Sequence, residues 1–179
     1  MGFDKAAASL GDRTLLEHVI ERCSASDSSC EILISGGPPE RRVPGKWRVA
    51  RDRGGEGPLA GIHALAAEAT TPTLVVVACD MPYLDFETLL PLLEIVEHGA
   101  EAAFFESEER LEPLPLALDV ESAAAAASRL IEAGRLRVIG LADELVAHRR
   151  VAPDDPRALA NVNTPDDLEA AVKFFASLS

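Results

Sequence analysis

Cysteine is scarce in this chain of 179 residues: Cys23, Cys30 and Cys79 make an odd number and include no C-x-x-C pair. That argues against a disulfide framework and for buried free thiols. No secretory leader is visible, so a reducing cytosol is the expected compartment. No apolar run approaches the ~18 residues that a membrane helix needs. Basic residues are in the minority, 17 Lys and Arg against 30 Asp and Glu, and the net charge of −13 is spread along the chain. Such a balance argues against a nucleic-acid polymer or an anionic membrane as partner. A small phosphorylated ligand stays open, because it needs only a locally positive or metal-charged pocket. There is no G-x-S-x-G elbow, no H-E-x-x-H and no G-x-x-x-x-G-K-[ST] loop. The histidines His18, His63, His98 and His148 are scattered, and no candidate for covalent catalysis emerges. Repeats and linkers are absent too. One domain over 1–179 is expected, large enough to bury roughly 70% of its unfolded surface.

What is present is organised around Leu74-Val75-Val76-Val77-Ala78-Cys79-Asp80-Met81-Pro82. An apolar run without alternation suits a central parallel strand buried on both faces, here 74–79. Pro82 cannot continue it, so the strand is expected to end at or just after Asp80. Ligands of open α/β sheets bind beyond the carboxyl ends of strands, which puts Asp80 where a metal ion or phosphate would be handled. The plainer reading is that Asp80 caps the next turn.

Strands alternate with helices along the chain. Thr14 and Glu17 form a capping-box pattern ahead of a helix with Leu15, Leu16, Val19, Ile20 and Cys23 on one face. Short strands are expected over 32–35 and 47–50. The glycine-rich stretch 52–61 leads into a helix running from Pro58 to about residue 69, where free N–H groups favour an anion or a polar ring edge. Asp85 is placed to cap a helix that turns Leu89, Leu92, Leu93 and Val96 inward. Residues 102–105 read as a strand. Pro113 and Pro115 imply that any strand over 112–118 is an edge strand or starts after Pro115. The alanine-rich helix over 122–133 should end at Gly134, followed by a helix over 138–145 and a strand over 146–151. Thr164, Pro165 and Asp167 occupy the N-cap, N1 and N3 positions of a last helix. The fold class is α/β, a three-layer, Rossmann-like sandwich with a mostly parallel sheet. Its chemical equipment is Lys5, Asp52, Asp80 and two glycine-bearing loops. That suits phosphoryl or nucleotidyl transfer, which needs positioning and charge neutralisation and no protein nucleophile.

Six segments carry a resemblance: Met1-Gly2-x-Asp4-Lys5-Ala6, Thr14-Leu15-Leu16-Glu17-His18-Val19, Gly57-Pro58-Leu59-Ala60-Gly61-Ile62, Cys79-Asp80-Met81-Pro82, Glu112-Pro113-Leu114 and Asn161-Val162-Asn163-Thr164-Pro165. In this order they resemble the molybdenum cofactor guanylyltransferases, of the nucleotide-diphospho-sugar transferase fold. The resemblance implies transfer of GMP from GTP to the phosphate of molybdenum-bearing molybdopterin, with release of pyrophosphate. It implies Lys5 and Asp80 as catalytic residues, Lys5 on the GTP phosphates and Asp80 holding Mg²⁺. Asp52 would contact the nucleoside, and its carboxylate could accept from the N1–H and N2–H edge of guanine. Ser35, Gly57 and Gly61 would lie near the nucleotide. Asn161 and Asn163 would face the molybdopterin, unless they serve only turn and helix-cap chemistry. The same resemblance sets Met1 on an internal methionine of the family, so a strand and a Gly-Gly loop, roughly 15–20 residues, are expected upstream. A homo-oligomer is compatible with all of this. Two other readings stay open: a CTP- or UTP-using nucleotidyltransferase, and a non-catalytic nucleotide- or cofactor-binding relative.

Overall fold

Phe104 and Phe105 are neighbours in sequence, both essentially fully buried, yet they belong to different cores. Successive strand residues point to opposite faces, so a strand apolar on both faces demands a cover on each side. The computed structural model of the chain describes residues 5–24, 30–36, 47–51, 57–108, 110–145 and 148–178. It begins with a hairpin, β1 (Ser9–Leu10) and β2 (Arg13–Thr14), and helix α1 (Leu15–Cys23). Strands β3 (Ile32–Ile34) and β4 (Trp47–Val49) pair in parallel. Helix α2 (Pro58–Glu68), strand β5 (Thr73–Val76) and helix α3 (Phe86–Glu97) follow. Then come β6 (Ala102–Ser107), β7 (Arg110–Asp119), α4 (Val120–Glu132), α5 (Gly140–Glu144), β8 (His148–Val151), a 3₁₀ turn (Pro156–Leu159) and α6 (Pro165–Ala176). No helix of the described residues is long and apolar enough to cross a membrane.

The four-stranded sheet has the order β5-β7-β6-β8. Strands β5, β6 and β8 run in one direction and β7 alone runs against them. Phe104, Leu116 and Leu118 face α2, α4 and α5, whereas Ala103, Phe105 and Ala117 face α3, which gives three layers. The alanine run forms a helix, and Ala123, Ala126 and Ala127, all fully buried, let α4 lie close on α2. The Thr14/Glu17 and Thr164/Asp167 capping boxes and the Asp85 cap are formed as expected.

Three expectations are corrected. The strand before Asp80 stops at Val76, not at Cys79. Its register against β7 would next bring Val77 opposite Pro115, which has no N–H to give, so the ladder ends there. Among the described residues β5 lies at the end of its sheet rather than at the centre. The proline-bearing strand is no edge strand: β7 runs through both prolines and sits between β5 and β6. This is tolerated because pairing with β5 starts at Leu116, and the register against β6 shifts between Phe104 and Glu106, across the proline stretch. The β1–β2 hairpin was not anticipated, although Gly11-Asp12 between Leu10 and Arg13 is a two-residue turn signal, with Gly11 at φ +66°.

Candidate functional site

The turn that carries Asp80 is seated by hydrophobic anchors. Met81 and Leu84, just beyond it, are buried in the core shared with α3. Arg22 of α1 braces the residues that follow this turn. Its guanidinium donates to the carbonyls of Tyr83 (3.3 Å) and Leu84 (3.0 Å) and to Asp85 Oδ2 (3.0 Å). Lys5 is placed by the other end of α1. The N–H groups of Leu15 and Leu16 donate back to the carbonyls of Ala8 (2.8 Å) and Ala6 (3.3 Å), which docks residues 5–8 on the helix start. From there Lys5 Nζ donates to Asp80 Oδ2 at 2.9 Å and to Asn163 Oδ1 at 2.7 Å. Val162, fully buried, donates its N–H to the Asp80 carbonyl at 2.7 Å. Three residues proposed from sequence, Lys5, Asp80 and Asn163, therefore meet at one point. The Lys5 side chain is 33% exposed and that of Asp80 17%, so solvent reaches the pair.

A second group lies at the start of α2. Gly57 is its N-cap, at φ +84°, and no side chain caps the helix. Gly61 comes close to the end of β3: a Cβ on it would stand 2.8 Å from Ser35 Oγ. Ser35, Gly57 and Gly61 are thus brought to one helix end. Asn161 is exposed, next to Val162. Asp52 lies outside the described residues.

Sequence reasoning missed two residues here. Arg22 carries no motif, and its three acceptors lie more than sixty residues away. Asp167 was read as a capping residue, but its Oδ2 also accepts from the Asn163 N–H at 2.9 Å. That bond first, then those to Thr164, hold the Asp167 carboxyl below the usual carboxylate range. Burial pushes the Cys23 thiol up to about 12, so it stays protonated and inert. Burial and then Arg22 lower the pKa of His18, whose Nε2 is buried with no hydrogen-bond partner. It packs edge-on against Phe175, with ring centroids 4.3 Å apart.

A three-layer α/β sheet that holds a lysine against an aspartate just beyond a strand end suits phosphoryl or nucleotidyl transfer. The family model for the MobA-like NTP transferase domain matches residues 1–149. The chain belongs to this family. A probable molybdenum cofactor guanylyltransferase of Pelotomaculum thermopropionicum is 33% identical over 96% of this chain and 85% of its own length. A molybdenum cofactor guanylyltransferase of Cereibacter sphaeroides is 34% identical over 95% and 87%. Among solved structures, molybdopterin-guanine dinucleotide biosynthesis protein A of Archaeoglobus fulgidus shares the fold with a TM-score of 0.77 at 24% identity, over 98% of this chain and 92% of that one. A 2-C-methyl-D-erythritol 4-phosphate cytidylyltransferase of Thermus thermophilus gives 0.72 at 19% identity, over 95% and 92%.

Proposed function

We propose that this protein is a guanylyltransferase of molybdenum cofactor synthesis, a single cytoplasmic domain that moves GMP from GTP to the phosphate of molybdenum-bearing molybdopterin. A phosphate oxygen of the acceptor bonds to the α-phosphorus of GTP, the bond from that phosphorus to the bridging oxygen breaks, and pyrophosphate leaves with the electron pair. The observation that carries the reading is the meeting of Lys5, Asp80 and Asn163, drawn from three separate motifs. Lys5 supplies a point charge to the triphosphate. Asp52 meets the guanine edge, and Ser35, Gly57 and Gly61 lie along the nucleoside. Asn161 and Asn163 line the acceptor side.

Among the described residues no cluster of three or more His, Cys, Asp or Glu side chains could hold a metal. The donor set is one carboxylate, Asp80, beside one amide oxygen. That suits Mg²⁺, which keeps several waters and is commonly bound by one or two carboxylates together with substrate phosphates. Held at Asp80, Mg²⁺ would supply charge neutralisation at the phosphates.

Thermal unfolding with GTP, CTP, UTP or ATP, each with and without Mg²⁺, tests the reading. GTP at a hundred times its Kd adds ~2.7 kcal/mol and raises Tm, and the other nucleotides should add little. A response to CTP or UTP instead of GTP would redirect the assignment, and no response to any nucleotide would end it.

Gly61→Ala should separate binding from stability. In a helix interior alanine is better than glycine by ~1 kcal/mol. The crowding it causes falls on the exposed Ser35 hydroxyl, which can rotate away. Tm should hold or rise slightly, while KM for GTP rises about fivefold, as for the loss of one ordinary hydrogen bond. An unchanged KM would remove Ser35 from the nucleotide site.

A further inference from the structure

Lys5 has a task in the reading above, but its aim depends on Asn163, an exposed residue on a short segment ahead of α6. An exposed amide holds one direction only if its backbone is fixed. Three successive N–H groups fix it: Val162 donates to the Asp80 carbonyl at 2.7 Å, and Asn163 and Thr164 both donate to Asp167 Oδ2, at 2.9 and 2.8 Å. A capping box requires only the bond to Thr164. The box on α1 shows the difference, since Glu17 there accepts from the N-cap residue Thr14 at 2.7 Å and the box is complete with no further bond to Glu17 among the described residues. The added bond to Asn163 is not needed to complete the helix cap. It orients the backbone from which Asn163 Oδ1 reaches Lys5 Nζ at 2.7 Å.

We propose that Asp167 is a positioning residue of the transfer reaction: by fixing the Asn163 backbone it aims Asn163 at Lys5, and so sets where the Lys5 ammonium meets the substrate phosphates. The proposal rests on the guanylyltransferase reading for the identity of the substrate. The geometry that carries it belongs to the chain itself.

The variants Asp167→Ala, Asp167→Glu, Asn163→Ala and Asp167→Ala/Asn163→Ala separate aiming from capping. Asp167→Glu can keep the cap bond to Thr164, as Glu17 does on α1, and gives up the bond to Asn163. Three quantities are read: Tm, steady-state guanylyl transfer, and the acetylation rate of Lys5 relative to the exposed Lys173, resolved by peptide mass spectrometry. Asp167→Glu should leave Tm within a few degrees of wild type. Its Lys5 should acetylate about fivefold faster, the worth of one hydrogen bond. Its kcat should fall about tenfold, the lower end of what losing an outer orienting group costs at comparable sites. Asp167→Ala should show the same two effects with a lower Tm, and adding it to Asn163→Ala should change neither rate further. If the Asp167 variants lose Tm alone, with Lys5 acetylation as in wild type, Asp167 is only a cap and the proposal falls. Effects that multiply in the double variant would overturn it as well, since Asp167 would then act without Asn163. Should wild type fail to turn over GTP, the functional reading falls by itself, and the acetylation ratios still decide the role of Asp167.

Discussion

Asp80→Asn should lower guanylyl transfer by about 10²-fold or more, the usual cost of removing one electrostatic group that acts in the transition state. The argument is local. Asp80 follows a strand end, only 17% of its side chain is exposed, and it is the one carboxylate on Lys5 Nζ among the described residues. The substitution keeps the shape, and the amide oxygen can still accept from Lys5. The backbone bond from Val162 to residue 80 is untouched. Far-UV circular dichroism and Tm should therefore stay close to wild type while kcat/KM collapses, and a higher Mg²⁺ concentration should recover part of the loss. Near-normal turnover would sink the assignment of Asp80.

Lys5→Ala should cost a similar 10²–10³-fold in kcat/KM, by the same comparison with loss of one transition-state donor. The signature differs, because a residue that meets the triphosphate in the ground state also raises KM for GTP. Lys5→Arg should not restore activity. The ammonium sits between two oxygens, at 2.9 and 2.7 Å, as a compact point charge, and a planar guanidinium fork places its charge and donors elsewhere. Steady-state kinetics of both variants checks this. Full rescue by arginine would mean that Lys5 acts only through overall charge.

Local signals read true where the physics is local. Both capping boxes, the Asp85 cap and the Pro58 helix start involve groups three or four residues apart, so the sequence shows them directly. Lys5, Asp80 and Asn163 were found through motifs, and the fold brings them together. The place of β7 was not legible. A proline excludes a strand from a sheet interior only where its N–H is needed, and that depends on the register of two neighbours. The brace from Arg22 to residues 83–85 was equally hidden. Side-chain bonds to distant carbonyls leave no period in the sequence, and Asp85, visible as a cap, gave no sign of its second tie to Arg22. Asp167 was recognised for its common role and not for its additional one.

The closure of the site by the segment ahead of α6 bears on when the site comes into being. Lys5 is 75 residues from Asp80 and 158 from Asn163, so the triad joins both ends of the chain to its middle. Contacts of such long range incur loop-closure entropy before they return any stability, and they form late. The two large cores around β6 and β7 use none of these three residues. The segment that completes the triad rests instead on a small cluster of Leu10, Leu15, Val162 and Ala171, and Ala171 is the only buried residue of α6. Such an element belongs to the low-stability end of a protein's local unfolding spectrum. A chain cut before its final helix should therefore keep the two large cores while losing the Asn163 contact to Lys5, an outcome that hydrogen exchange of β6 and β7 in the shortened chain would check.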